Sequence, residues 1–345
     1  MTLDNSARKL ILLVAATIAG SVLVLAQGTA SISGRAVDAS GAAIPDARVS
    51  VRNVETGETR ATNTDAGGFY RVLSLPVGGY EINVGKDGFK TAIRLGINLS
   101  VGQEAVVHVA LEVGALAQEV TVTAEAPLVN TTTAETSGLV GEQQVKDLPL
   151  NGRSFDNLIT LNAGTVNYSA MHTTSNGYTG GFGNTFSISG RRVYENLFLL
   201  NGVEYGGNGI GSANPGGVSG QLLGIDAVRE FNVLSDNYSA VYGKRYGGQI
   251  SIVTTSGTNQ LHGSAFEFLR NSALDARNFF DYGASLAGGR RIPAFARNNF
   301  GAAVGGPIKK DKLFLFGNYE GFRQRLGLSN VAIVPDLNAR ARFGS

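Results

Sequence analysis

Apolar and polar residues alternate with the period of a strand through most of this chain, in short runs broken by turn residues. The runs SISGRAV, ARVSVRN, GETRATN, GGFYRVLSL, GGYEINVGK, GINLSV and EAVVHVALEV follow one another between residues 30 and 115. In the last of them Ala105, Val107, Val109 and Leu111 share one face, and Val106, His108 and Ala110 share the other. Strands this short, at roughly 8–12-residue spacing, predict an antiparallel β-sandwich.

EVTVTA (119–124) has the same alternation but stands apart, closed by Pro127 and followed by Thr-rich polar sequence. It reads as a lone strand without a partner in its own chain, with an eighth sandwich strand or an ordinary linker as the alternatives. Beyond it, residues 138–257 mix periods. Phe155, Leu158 and Ile159 have the i, i+3, i+4 spacing of a short helix. NLFLLNGVEY (196–205) centres on Asn201-Gly202, a dipeptide suited to a two-residue hairpin turn because both residues tolerate positive φ. IDAVREFNVLS (225–235) reads as a short helix running into a strand, and GGQISIVTTSG (247–257) as a closing strand. Two long glycine-rich segments, 162–184 and 205–220, interrupt this α+β block. Loops above ~12–15 residues are uncommon in compact domains unless functional or disordered.

The last stretch returns to alternation on a longer scale. LHGSAFEFLR (261–270) sets Phe266 and Phe268 on one face with Glu267 on the other. NNFGAAVGGP (298–307) sets Phe300, Ala302 and Val304 against Asn299, Gly301, Ala303 and Gly305. A charged turn, IKKDK, leads to the aromatic strand LFLFGNYEGF (313–322), and 271–297 forms a long loop. Ten-residue strands alternating apolar with small or polar positions suit a transmembrane β-barrel.

Composition narrows the chemistry. Lys and Arg number 29 against 27 Asp and Glu, so no basic surface advertises a nucleic-acid partner. Cysteine is absent, which removes disulfides, thiolate metal sites and Cys nucleophiles. The three histidines, His108, His172 and His262, are scattered and carry no metal-ligand spacing, and no catalytic Ser/His/Asp order stands out. The glycine-rich segments lack phosphate-loop spacing. No enzyme, cofactor or metal is therefore expected. Arg8 and Lys9 before the apolar run 10–26 describe a secretory signal cut after Ala26, with an uncleaved membrane anchor as the alternative.

Two family resemblances rest on particular stretches. SGRAVDASGAAIPDARVSV and TDAGGFYRVLSLPVGGYEINVGKDGFK resemble the carboxypeptidase-regulatory-like domain, a prealbumin-type sandwich. LPLNGRSFDNLITLNAGT, SISGRR, NLFLLNGVEY and VREFNVLSDNYSAVYGKRYGGQISIVTTSGTN resemble the plug of TonB-dependent outer-membrane receptors, above all Oar-like receptors with a regulatory-like domain in front. That family often has Asp-Gly at the hairpin turn, where this chain has Asn201-Gly202.

The resemblance implies a mainly β chain: signal peptide 1–26, sandwich 30–115, TonB-box linker 119–137, plug 138–257, and the start of an unfinished transmembrane β-barrel, 258–345. It implies that the TonB box, Val120, Thr121, Val122, Thr123 and Ala124, is captured by edge pairing with the TonB energy transducer. Tyr168, His172, Tyr178, Phe182 and Tyr205 become candidate solute contacts in the plug loops. The implied function is TonB-energised uptake or export of a large solute, of glycan or peptide class. The implied location is the bacterial outer membrane and its lipid, with sandwich and box in the periplasm. The alternative is a secreted or surface adhesion protein. Plugged transporters close at about 22 strands, and about 90 residues follow Thr255, so the reading expects a piece of a longer receptor, with a truncated gene as the alternative.

Overall fold

The computed structural model describes residues 30–114, 119–123, 135–150, 153–168, 184–205, 223–239, 242–276 and 294–326. The expected signal segment lies outside the described residues. Two compact units divide the chain: one runs to Gly263 and takes in Ala303–Asn318, and the other comprises Ser264–Ala302 with the stretch from Tyr319 onward. The first unit holds a sandwich and a central domain.

In the sandwich, strand β1 (Ala30–Asp38) pairs antiparallel with β4 (Phe69–Leu75) and parallel with both β7 (Glu104–Val106) and β8 (Val109–Leu111). The facing sheet has the order β3-β2-β5-β6-β9, with β2 (Arg48–Asn53), β3 (Thr59–Asn63), β5 (Gly78–Gly85), β6 (Thr91–Leu99) and β9 (Glu119–Thr123). Alternation fixes which side faces in. In β5 every second residue is buried, so Tyr80, Ile82 and Val84 enter the core, where they meet Ile32, Val49, Val51, Tyr70 and Ile97. Across the β2–β5 ladder Val49 stands opposite Val84, and Val51 opposite Ile82.

Two expectations change. The sandwich is mixed rather than wholly antiparallel, because β1 takes parallel partners and β9 joins β6 in parallel. The expected single strand 104–113 splits at Val107 and His108. There the Val107 N–H donates to the Ser33 carbonyl at 2.8 Å, and its carbonyl accepts the Tyr70 hydroxyl at 2.6 Å. Ala105, Val109 and Leu111 nevertheless stay buried on the expected face.

The central domain is built on a sheet of order β10-β15-β16-β13-β14. Its strands are β10 (Thr136–Val140), β13 (Leu197–Leu200), β14 (Val203–Glu204), β15 (Val228–Asp236) and β16 (Gln249–Thr254). A short pair, β11 (Thr165–Asn167) and β12 (Phe186–Ile188), stands beside it. The core collects Phe155, Ile159, Ile188, Phe231, Val233, Ile250 and Ile252. The rings of Phe155 and Phe231 lie 5.9 Å apart, tilted by 57°.

The helical spacing at Phe155 forms a 3₁₀ helix, Phe155–Leu161, and residues 225–227 form the 3₁₀ turn that leads into β15. At the hairpin Asn201 and Gly202 take φ of 49° and 82°. The Asn201 carboxamide oxygen accepts the Thr254 N–H at 3.0 Å, and its amide donates to the Thr254 hydroxyl at 2.9 Å. The second bond uses a donor that aspartate would lack. Beyond the expected set stand β10, β11 within the segment 162–184 expected as a loop, and helix α1 (Glu142–Asp147), where the Gln144 side chain accepts the Gly141 N–H at 3.1 Å.

The last sheet has the order β17-β18-β19, formed by His262–Asn271, Phe295–Lys309 and Leu313–Leu326. Val304, Ile308, Leu313, Leu315 and Tyr319 are exposed, an apolar set on alternate positions of the two longer strands. Within the first unit the His262 ring stacks on Phe316 at 6.5 Å. Within the second, Phe266 and Phe268 lie 5.8 Å apart, and the Arg297 guanidinium lies over both Phe295 and Phe322.

Candidate functional site

The strand expected to be lone has a partner. β9 lies parallel to β6, with Glu119 opposite Thr91, Thr121 opposite Ile93 and Thr123 opposite Leu95. The correction has a physical cause: the outer edge of β6 presents unpaired ladder groups, and an extended Pro-free segment satisfies them. Four of the five expected TonB-box residues, Val120, Thr121, Val122 and Thr123, lie in β9, and Ala124 lies outside the described residues. β9 ends the sheet, so one of its backbone edges faces away from β6.

At the opposite end of the same sheet β3 lies beside β4, the edge strand of the other sheet. The Arg60 guanidinium on β3 donates to the carbonyls of Leu73 and Ser74, at 3.1 and 2.8 Å. β9 contains no Lys, Arg or Pro, the residues that commonly blunt an exposed edge.

The sandwich is fastened to the central domain through β15. Arg229 makes two bonds to the Glu55 carboxylate, at 2.8 and 2.7 Å. Next to it Glu230, 8% exposed, accepts the Val101 N–H at 2.6 Å. Asn232 donates to the Val101 carbonyl at 3.4 Å, and Val77, Val101 and Val253 close a small apolar cluster beside these bonds. Burial raises the Glu230 carboxyl above the ordinary carboxylate range, against the lowering effects of the Val101 bond and of Arg229. Deeper in the central domain burial likewise raises Asp156, whose carboxylate is held by the Ser154 hydroxyl and by Asn184. None of these positions carries a motif. Glu55 and Arg229 are 174 positions apart, and single charges in polar turns give no sign of pairing.

A cleft of about 400 Å³ opens on the sandwich between Ser33, Asn63, Asp65, Phe69, Arg71 and His108. Phe69 is 54% exposed there. Of the candidate solute contacts, Tyr168 is half-buried with its N–H bonded to the Thr185 carbonyl at 2.8 Å. Tyr205 packs half-buried against the central core. His172, Tyr178 and Phe182 lie outside the described residues. Of the five, Tyr168 and Tyr205 are the ones that lie among the described residues. Among the described residues no group of three or more His, Asp or Glu could hold a metal ion.

Two stretches of the chain match known families. Residues 31–112 match the carboxypeptidase regulatory-like domain, and residues 253–344 match the outer membrane beta barrel domain. The TonB-dependent transporter Oar of Myxococcus xanthus is 28% identical over 267 residues, covering 74% of this chain and 23% of its own length. The chain therefore spans about a quarter of that relative. Among solved structures, the siderophore receptor PirA of Acinetobacter baumannii is 24% identical over 54% of this chain and 24% of its own, with a TM-score of 0.37. A hydroxyquinol 1,2-dioxygenase of Pseudomonas putida is 8% identical over 25% of this chain and 57% of its own, with a TM-score of 0.21. Both scores are too low to establish a shared overall fold. The sequence matches place the chain at the outer membrane, as a homologue of Oar-like TonB-dependent transporters that joins a carboxypeptidase regulatory-like domain to an outer membrane β-barrel domain.

Proposed function

We propose that this chain is the leading part of an energised outer-membrane transporter in which residues 120–124 are the TonB box and the central domain is the plug. One observation carries the reading. A five-residue strand without Pro or Lys, at the open edge of a sheet, lies between the regulatory-like domain and the barrel sequence. Capture by strand addition requires that geometry, because main-chain bonds supply the affinity and side chains matter less. Pull on this strand reaches the plug by two routes: along the chain to β10, and through the Glu55–Arg229 contact to β15.

The solute is of glycan or peptide class, taken up or exported as a large molecule. Tyr168, His172, Tyr178, Phe182 and Tyr205, in or beside the glycine-rich loops, are the proposed contacts. The sandwich and the box lie in the periplasm. The test is Val122→Pro in the complete receptor. Proline removes a ladder donor in mid-strand, so transport is expected to stop while receptor abundance in the membrane holds. Full transport by that variant sinks the assignment.

A further inference from the structure

Among the described residues, the ladder between β6 and β9 uses one edge of β9 and leaves the other unpaired. Consecutive residues of a strand direct their backbone groups to opposite edges, so alternate residues of Glu119–Thr123 point their N–H and C=O away from β6. The regulatory-like match ends at residue 112, so β9 joins the sandwich sheet from outside the domain proper.

We propose that the sandwich and β9 together form the docking platform for TonB: the TonB strand adds as a sixth strand on the free edge of β9 while β9 stays paired with β6. This rests on the TonB-box reading above and extends it. Strand addition at the free edge breaks no existing bond, whereas pulling β9 off first would expose the edge of β6 and lose five residues of pairing. The contrast between the two ends of this sheet supports the choice of surface. The β3 end lies against β4, tied to it by the bonds from Arg60 to the Leu73 and Ser74 carbonyls, and β9 carries no Lys, Arg or Pro. Load applied to β9 would then bear on the whole sandwich and pass to β15 at Arg229 and Glu230.

The chain has no native cysteine, so an engineered pair is the only thiol pair it contributes. Ile93 and Thr121 face one another across the β6–β9 ladder, as do Ala92 and Val120 one position earlier. Directly opposed strand residues fall within disulfide reach. The double variants Ile93→Cys/Thr121→Cys and Ala92→Cys/Val120→Cys occupy successive positions of the ladder, so one can serve if the other folds poorly. Each is made in the complete receptor, purified in detergent, and titrated with the periplasmic domain of TonB before and after oxidation.

The proposal expects the locked and reduced forms to bind within about twofold of each other. A loss of about tenfold or more on locking, reversed by reductant, overturns it and means that β9 must leave the sheet. Absence of binding to the unlocked native receptor overturns the TonB-box reading along with it, and so separates the two failures.

Discussion

Arg229 and Glu55 form a two-pronged ion pair across 174 positions of sequence, joining β15 of the central domain to the turn that follows β2 of the sandwich. The side chains are 16% and 29% exposed, so the pair is sheltered without being sealed. A forked guanidinium–carboxylate contact fixes orientation as well as distance. It ties the sandwich to the central domain.

Glu55→Gln removes the charge that answers Arg229. A sheltered guanidinium left without its partner costs roughly 1–3 kcal/mol, less than a fully buried one because water reaches Glu55. The readout is a double-mutant cycle with Arg229→Gln, followed by urea unfolding. The pair is expected to couple by at least about 1 kcal/mol, and additive effects would show that the contact contributes nothing.

Glu230 predicts a dependence on pH. Burial raises its folded pKa above the unfolded value. The folded state therefore holds the proton more tightly, and the stabilisation this gives is fully present below the unfolded pKa and lost as pH rises through the folded one. Glu230→Gln keeps an oxygen to accept the Val101 N–H and cannot ionise. It should make stability fall less between pH 4 and 8 than in the native chain, with Asp156, shifted the same way, supplying a remaining slope. Parallel curves for variant and native protein would refute the assignment.

Gly301 tests the barrel sheet. A Cβ there would lie 2.5 Å from the Tyr319 carbonyl oxygen and 2.7 Å from the Phe266 ring. The backbone oxygen cannot rotate away, so Gly301→Val forces β18 from β19. Heat-modifiable mobility on gels should show a lower folded fraction in the membrane, whereas Ala302→Val, at an exposed position of the same strand, should be tolerated.

Phe231→Ala empties the centre of the other core. Phe231 is fully buried against Phe155, and removing such a ring costs about 3–5 kcal/mol. Limited proteolysis within 135–255 should accelerate strongly.

Sequence pattern revealed what is local. Alternation located most strands, and Asn201-Gly202 located the hairpin, because a turn needing positive φ at both positions leaves few residue choices. It missed what is set at long range. Thr136–Val140 carries only two large apolar residues and becomes a strand by pairing with Phe231–Asp236. The partner of β9 was hidden for the same reason, since a parallel neighbour across a connection leaves no turn signature. Val107 interrupts its strand because distant groups on Ser33 and Tyr70 claim its backbone. The site followed this division: β9 was legible as a pattern, while the fastening of the sandwich to the central domain through Arg229, Glu230 and Glu55 was not.

The most direct test of the account is a titration of the complete receptor, native and Val122→Pro, with the periplasmic domain of TonB. The account predicts saturable binding to the native receptor that the proline variant loses. Equal binding by both, or binding by neither, would contradict the claim that residues 120–124 couple this chain to TonB.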